Sequence, residues 1–385
     1  MYARLLDIAR SKHSVFLLGP RQVGKTSLIK ATLKPDLYVN LLLQKEYLRY
    51  AKDPSLLTAE VKVIAQKKKS PLIVVDEIQR CPELLNEIHS MIESDIKPRF
   101  VMTGSSARKL KRTGVNLLGG RAIKKNLFPL THGEIGSTFV LSDALRFGTL
   151  PSLVLESDTT EKIQLLQSYV ETYLKEEVQQ EAITRNIPAF ARFLELAAFE
   201  NGNLLNFNNI ARDVGVGSKT IKDYFQILED TLIGFFLLPY TRSHRDKLVK
   251  HPKFYFFDPG VVSALKSTLS SELIPGTPPY GHAFEHWCIL EIQRLLAYRN
   301  KEARIHFFKT NDGTEIDLII EMNNEVWAIE IKSSSHPTGS DLRGLKSFVK
   351  DHKPNFAICL CQTPRPFVID KIEVLPWIDF FDRLQ

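Results

Sequence analysis

Cysteine is scarce in this sequence, with only four residues, Cys81, Cys288, Cys359 and Cys361, in a chain of 385. They form neither a zinc-spaced set nor a dense disulfide framework, so buried apolar thiols are the expectation. No apolar run reaches the ~20 residues that a membrane-spanning helix needs, and the first residues lack the basic-then-apolar order of a secretion signal. These absences point to a cytoplasmic chain with no membrane partner. Internal repeats and low-complexity tracts are missing as well, which excludes solenoid and linker-dominated designs.

What is present is ordinary for a globular protein, with 44% hydrophobic and 25% charged residues. The length implies two or three domains. A formal charge of +7 comes with local basic runs at Lys67–Lys69, Arg108–Arg112, Arg121–Lys125 and onward from Arg242. Such an excess attracts polyanions, including nucleic acid. A lysine run taken alone also describes a solvated face.

The N-terminal stretch SVFLLGPRQVGKTSLIK is an apolar strand, a tight loop and the start of a helix. Its loop fits the phosphate-binding pattern G-x-x-x-x-G-K-[ST] from Gly19 to Thr26, through Pro20, Arg21, Gln22, Val23, Gly24 and Lys25, with Ser27 just beyond. In that pattern backbone amides turn toward a phosphate, Lys25 supplies a cation, and the Thr26 hydroxyl ligates Mg²⁺. The run PLIVVDEIQ reads as a parallel strand buried on both faces, ending in Asp76 and Glu77. Asp76 is then placed for the Mg²⁺ shell and Glu77 for the attacking water; an N-cap pair is the plainer alternative. A third strand, RFVMTGSS, ends in Thr103, Ser105 and Ser106, whose hydroxyls can meet the γ-phosphate or cap a helix. Arg121, after Gly119 and Gly120, suits an arginine finger or a plain surface residue.

In the middle of the chain, Leu165, Leu166, Tyr169, Val170 and Tyr173 make an apolar stripe on a helix expected from Glu161 to Ala182. Ile210, Ala211 and Val214, a turn at Gly215 and Gly217, and a second helix opened by Ser218 suggest a helix-turn-helix. LIGFFLLPY and KFYFFDPG would pair as its wing. Lys219, Thr220 and Lys222 would face the major groove and Arg242, Arg245 and Lys247 the phosphates, if this module meets DNA rather than protein.

The turn-rich stretch Ser270–Gly281 marks a boundary, followed by a helix from about His282 to Tyr298 and an α-β-β-β-α-β order. Within it, TEIDLIIEMNNEVWAIEIK is a hairpin with charges inside both strands. Alternation puts Glu315, Asp317 and Ile319 on one face and Ile316 and Leu318 on the other. A turn centred on Asn323 and Asn324 sets Glu315 opposite Lys332, an ordinary ion pair, and Asp317 opposite Glu330. Two facing carboxylates call for a cation or a shared proton. A hard divalent ion suits them, with Lys332 orienting water or stabilising a charged transition state.

Together GPRQVGKTSL, VVDEIQR, TGSSARKL, LGGRA, YVETYLKEEV and FYFFDPG resemble the AAA+ ATPases, specifically a broad bacterial and archaeal family of uncharacterised ATPases. The resemblance runs almost the full length and implies an α/β fold. Its parts would be a P-loop AAA+ core with a parallel sheet (residues 1–155), a helical connector (156–200), a winged-helix-like module (201–270) and a restriction-endonuclease-like domain (281–385). GTLP at Gly148–Pro151 departs from the two glycines expected there. The C-terminal element order is similar to the PD-(D/E)xK nucleases, which maps Asp317, Glu330 and Lys332 onto their signature and Glu285 onto an acidic helix residue. The resemblance implies ATP and Mg²⁺, with Mn²⁺ an alternative at the nuclease-like site, and DNA with a second copy or a partner protein as partners. An ATP-gated switch or scaffold with an inactive nuclease-like fold is the competing expectation.

Overall fold

The computed structural model describes residues 2–105, 120–174, 186–241, 251–299 and 301–384. It divides into two compact units, one built on Met1–Leu130 with Gln226–Ile233, the other on the described residues of Thr131–Glu176, Thr184–Phe225 and Gly234–Gln385. The sequence boundaries at 155, 200 and 270 do not coincide with this division. Ser106, Gly119, Arg242, Arg245 and Lys247 lie outside the described residues.

The first unit carries a parallel sheet of β1 (Ser14–Leu18), β2 (Leu37–Asn40), β3 (Leu72–Asp76), β4 (Arg99–Gly104) and β5 (Ala122–Asn126), in the order β2-β3-β4-β1-β5. Parallel strands joined by helical crossovers are covered on both faces, which is why β1 and β4 read as nearly unbroken apolar runs. Every residue of β1 is buried. Phe16, Val39, Ile73, Val75, Phe100 and Met102 share one core with Leu57, Leu84 and Ile88 of the flanking helices. Loops that leave the carboxyl ends of β1, β3 and β4 therefore emerge at one edge of the sheet, where α/β folds place ligands.

The second unit holds β6 (Gly234–Pro239), β7 (Lys253–Phe256), β8 (Ala303–Lys309), β9 (Glu315–Met322), β10 (Glu325–Ile331), β11 (Phe356–Cys361), β12 (Phe367–Ile369) and β13 (Ile372–Pro376). They form one sheet in the order β12-β13-β11-β10-β9-β8-β6-β7. The expected strand pair in LIGFFLLPY and KFYFFDPG is present, with Gly234 opposite Phe256 and Leu237 opposite Lys253. It is not a free-standing wing, because β6 continues alongside β8 through Leu238 and Pro239. One hydrogen-bonded sheet thus spans residues on both sides of the turn-rich stretch. The helix after that stretch begins at Pro278, inside the expected loop, since prolines at a first helical turn remove only amides that have no intrahelical acceptor.

Two apolar clusters cover the sheet. One gathers Leu318, Ile320, Trp327, Ile329 and Leu360 under Trp287, Ile289 and Ile292 of the helix Pro278–Tyr298. The other gathers Phe308, Ile316, Ile319, Ala328 and Cys359 under Leu345 and Phe348 of the helix Arg343–His352.

The apolar stripe of the connector is realised in part. A helix runs over Thr159–Ser168 and widens into a π-helical turn at Tyr169–Leu174. Leu166, Tyr169 and Val170 are buried while Leu165 is exposed, because Leu165 lies about 100° round the helix from Leu166 and off the face that meets the core. The paired helices Phe207–Val214 and Ser218–Asp230 are present around Gly215, which takes a φ of 81° that glycine adopts without penalty. Ser218 is the first helical residue rather than the cap before it. The GTLP departure has a use: Thr149 accepts a hydrogen bond from the buried Arg294 at 2.9 Å, while its amide donates to Asp258 at 2.8 Å. Gly148 beside it has a φ of 75°, and a Cβ there would meet Asp258 Oδ1 at 1.8 Å.

Candidate functional site

In the first unit, Gly19 follows the last residue of β1, and the loop reaches the helix Lys25–Thr32 through Gly24 at a φ of 93°. Gln22 also takes a positive φ, 63°. A Cβ on Gly19 would stand 2.3 Å from the Leu127 carbonyl oxygen, so only glycine lets the loop pass there. Lys25 is buried and its ammonium donates to the carbonyls of Gly19 and Pro20 at 2.7 and 2.9 Å, inside the loop. Pro20 and Val23 are buried, Arg21 is half-buried, and Gln22 and Ser27 are exposed. Arg4 braces the loop from outside, donating to Val23 O at 2.8 Å and Phe128 O at 2.6 Å.

Asp76, at the end of β3, is buried, and its two oxygens collect three hydroxyls. Oδ2 accepts from Thr26 at 3.0 Å and Tyr38 at 2.6 Å, and Oδ1 accepts from Thr103. The expected group Thr26, Asp76 and Thr103 is therefore brought together. Tyr38 is an addition that motif reading missed; it stands on β2, two residues before Asn40, which pairs with Asp76. Burial, then the hydrogen bond to Asp76, pushes its phenol above the ordinary range, which keeps it a donor. Glu77 takes a left-handed conformation, φ 62°, donates its amide to Thr103 Oγ1 at 2.9 Å and accepts from Gln79 Nε2. The same Gln79 nitrogen reaches Ser105 Oγ at 3.3 Å.

Arg121 is elsewhere. It precedes Ala122, which pairs with Ser14 at the amino end of β1, and its Nε donates to Glu93 at 2.7 Å. Five strand residues separate that end from the loop, roughly 16 Å at the usual rise, so Arg121 does not reach the phosphate loop of its own chain.

This set fits a nucleotide with Mg²⁺. The cradle admits no side chain at Gly19, and Thr26 with Asp76 offers the hydroxyl and carboxylate that hold a hard cation. The fit rests on these residues alone.

In the second unit the hairpin turns through Asn323 and Asn324 at φ 53° and 64°, the two positive values of a tight hairpin turn. The register places Met322 opposite Glu325 and Leu318 opposite Ile329, as the centred turn requires. Beyond that point the alternation fails. His306 of β8 faces Ile319 while Phe308 faces Ile316, so β9 carries an extra residue around Asp317 and Leu318. Ile316 consequently joins Ile319 in one core cluster rather than Leu318 in the other.

The bulge corrects the expected ion pair. Glu315 does not meet Lys332; its carboxylate binds Lys253 at 2.9 Å and Lys309 at 2.5 Å. Lys332 instead donates to Glu330 Oε1 at 2.6 Å. Asp317 stays beside Glu330, with its Oδ2 accepting the Ile331 amide at 2.7 Å. Glu330 is 8% exposed and its Oε2 is buried with no hydrogen-bond partner.

Burial, then the charge of Asp317, raises the carboxyl of Glu330. Burial, then Glu285, raises that of Asp317, against the pull of Lys332 and Lys253. Burial disfavours the ammonium of Lys332, yet Glu330 and Asp317 outweigh it and hold the charge. Glu285, on the helix Pro278–Tyr298, accepts from Tyr255 at 2.8 Å and lies 3.8 Å from Lys253.

Lys253 and Tyr255 went unnoticed in the sequence because nothing local links β7 to the hairpin. Among the described residues no group of three or more His, Cys, Asp or Glu side chains is arranged to hold a metal ion. The unpartnered Glu330 oxygen beside Asp317 is a feature of this hairpin that suits a hard cation. Neighbouring His286 is buried and bonded to the Phe256 carbonyl at 2.7 Å, a structural role.

No helix among the described residues is long and apolar enough to cross a membrane. Residues 11–136 match the family model described as AAA domain. Residues 139–272 and 280–380 match two domains of unknown function, DUF8612 and DUF4143. The chain is 27% identical to the uncharacterized protein Rv2008c of Mycobacterium tuberculosis over 91% of its own length and 76% of that protein's. It is 23% identical to an uncharacterized protein of Haemophilus influenzae, covering 97% and 92% respectively. Among solved structures, the Thermotoga maritima RuvB Holliday junction branch migration motor shares 17% identity, over 63% of this chain and 84% of that one. Its TM-score is 0.28, too low to equate the folds. The family match over residues 11–136 and the loop and carboxylate geometry just described together support an AAA-type ATPase domain in the N-terminal part of this chain.

Proposed function

We propose that this protein couples ATP turnover to metal-dependent cleavage of DNA at the acidic site of its second unit. The observation that carries the cleavage half is the pairing of half-buried Asp317 with buried Glu330, with an unpartnered Glu330 oxygen and Lys332 on its flank. At the nucleotide site, Mg²⁺ supplies charge neutralisation for the phosphates. Lys25 meets the β and γ phosphates, Thr26 and Asp76 hold the metal shell, and Glu77 orients water once Gln79 releases it. At the acidic site a divalent ion polarises a phosphodiester when bound. Asp317, Glu330 and Glu285 would supply oxygen ligands, and Lys332 would steady the negative charge on the non-bridging phosphoryl oxygens. Exposed Lys219 and Lys222 on the helix Ser218–Asp230 suit phosphate contacts that place the duplex.

The test uses plasmid, branched and single-stranded DNA with Mg²⁺ or Mn²⁺. Cleavage that Asp317→Ala and Lys332→Ala each reduce by roughly 10²-fold or more supports the proposal; no cutting of any substrate, or cutting that survives both changes, rejects it. Lys25→Ala is expected to abolish ATP turnover, and persistence would reject the assignment of the loop.

A second reading, an ATP-gated scaffold that binds DNA or protein without cutting it, is favoured by the lack of a three-ligand group among the described residues. Salt-dependent DNA binding with no cleavage would select it.

A further inference from the structure

The acidic site already contains a cation supplied from outside residues 280–380. Lys253 stands on β7, is 4% exposed, and lays its ammonium 5.4 Å from the centre of the Phe307 ring. Its nitrogen is 2.9 Å from Glu315 Oε1 and 3.8 Å from Glu285 Oε1, and Tyr255, on the same strand, donates to that same Glu285 oxygen. An ammonium taken out of water costs several kcal/mol unless anions compensate it, and here the compensating anions border Asp317. Across the cluster, Glu330 Oε2 is buried with no donor at all. The cluster thus has Glu315 and Glu285 met by Lys253, and Glu330 met by Lys332 through Oε1 alone, with Oε2 unpartnered.

We propose that Lys253 is a built-in counter-cation that competes with a divalent metal ion for the Glu285 carboxylate, so that loading the Asp317 and Glu330 pair requires this lysine to yield it. The inference rests on the metal-site reading given above and deepens it. A metal ion and an ammonium both seek the Glu285 oxygens, and like charges a few ångströms apart oppose each other. Removing the ammonium therefore strengthens metal binding, whereas a lysine with a merely structural role would leave affinity unchanged or weaken it with the fold. Glu315 keeps Lys309 after the change, so one of the two anions remains paired.

The experiment titrates Mn²⁺ alone into the full chain by calorimetry, without nucleotide, and takes as the site's signal the heat that Glu330→Ala removes. Lys253→Met is expected to bind Mn²⁺ about tenfold more tightly than wild type, from the loss of one nearby positive charge. Lys253→Arg, which keeps the cation, is expected to match wild type. Thermal unfolding supplies a second readout: Lys253→Met unfolds at a lower temperature without metal, and Mn²⁺ raises it by more than it raises wild type. Equal or weaker Mn²⁺ affinity in Lys253→Met, or no larger stabilisation by Mn²⁺, overturns the counter-cation while the metal site stands. Absence of any Glu330-dependent Mn²⁺ binding in both wild type and Lys253→Met overturns both.

Discussion

Asp76 shows how a single carboxylate is fixed before any ligand arrives. Three hydroxyls, from Thr26, Tyr38 and Thr103, point at its two oxygens in a buried setting. When Thr26 turns to a metal ion, Tyr38 and Thr103 remain to hold the carboxylate in place, the usual part of groups just behind a metal ligand. Tyr38→Phe is therefore expected to weaken Mg²⁺-supported binding of a fluorescent ATP analogue about tenfold, with binding in EDTA unchanged. Asp258 offers a pH test at the same scale. It is wholly buried, caps the helix Pro259–Leu265, and burial lifts its carboxyl from 3.8 to about 6 despite amide hydrogen bonds from Thr149, Val261 and Gly260. A carboxyl raised in the folded state stabilises the fold fully below its unfolded value and loses that contribution as pH rises through the folded value. Relative to Asp258→Asn, wild type should lose about 2 kcal/mol of unfolding free energy between pH 4 and pH 7. Urea unfolding at both pH values measures it, and a flat difference rejects the burial argument.

At the scale of elements, the site depends on how β9 is bent and on what lies against it. The extra residue around Asp317 redirects Glu315 toward Lys253 and Lys309, and the helix Arg343–His352 packs so close that a Cβ on Gly344 would stand 2.7 Å from the Glu315 carbonyl oxygen. Glycine inside a helix ordinarily costs about 0.5–1 kcal/mol relative to alanine. Gly344→Ala should here reverse that sign and destabilise by about 1–3 kcal/mol, because backbone rather than a flexible side chain blocks the new methyl group. Chemical denaturation decides between the two signs. The hairpin turn and its register were legible in sequence, since Asn-Asn at positive φ is a local preference and the pairing follows from it. The bulge was not, because it arises where β9 meets β8, a strand whose register no residue of the hairpin specifies. That is why Glu315 was matched with the wrong lysine.

At the scale of the whole molecule, the second unit's sheet runs unbroken from β7 through β6 and β8 to β12, so the residues that border the acidic site come from both sides of the turn-rich stretch. Residues 281–385 expressed alone would leave β8 with an unpaired edge and Glu285 and Glu315 without Lys253, and are expected to be poorly folded, whereas 131–385 should melt cooperatively. Circular dichroism of the two fragments checks this, and an independently stable 281–385 would contradict the continuous sheet. The phosphate loop, Asp76, Glu77 and the α-β-β-β-α-β order could be read from sequence because each is a short-range pattern of turn chemistry and periodicity. By itself the sequence determined the nucleotide cradle and the two carboxylates of the hairpin. Only the tertiary structure decided which donors stand around these sites, since Tyr38 reaches Asp76, Lys253 reaches Glu315 and Glu285, and Tyr255 reaches Glu285 through strand pairing distant in the chain, and burial sets the charges that result.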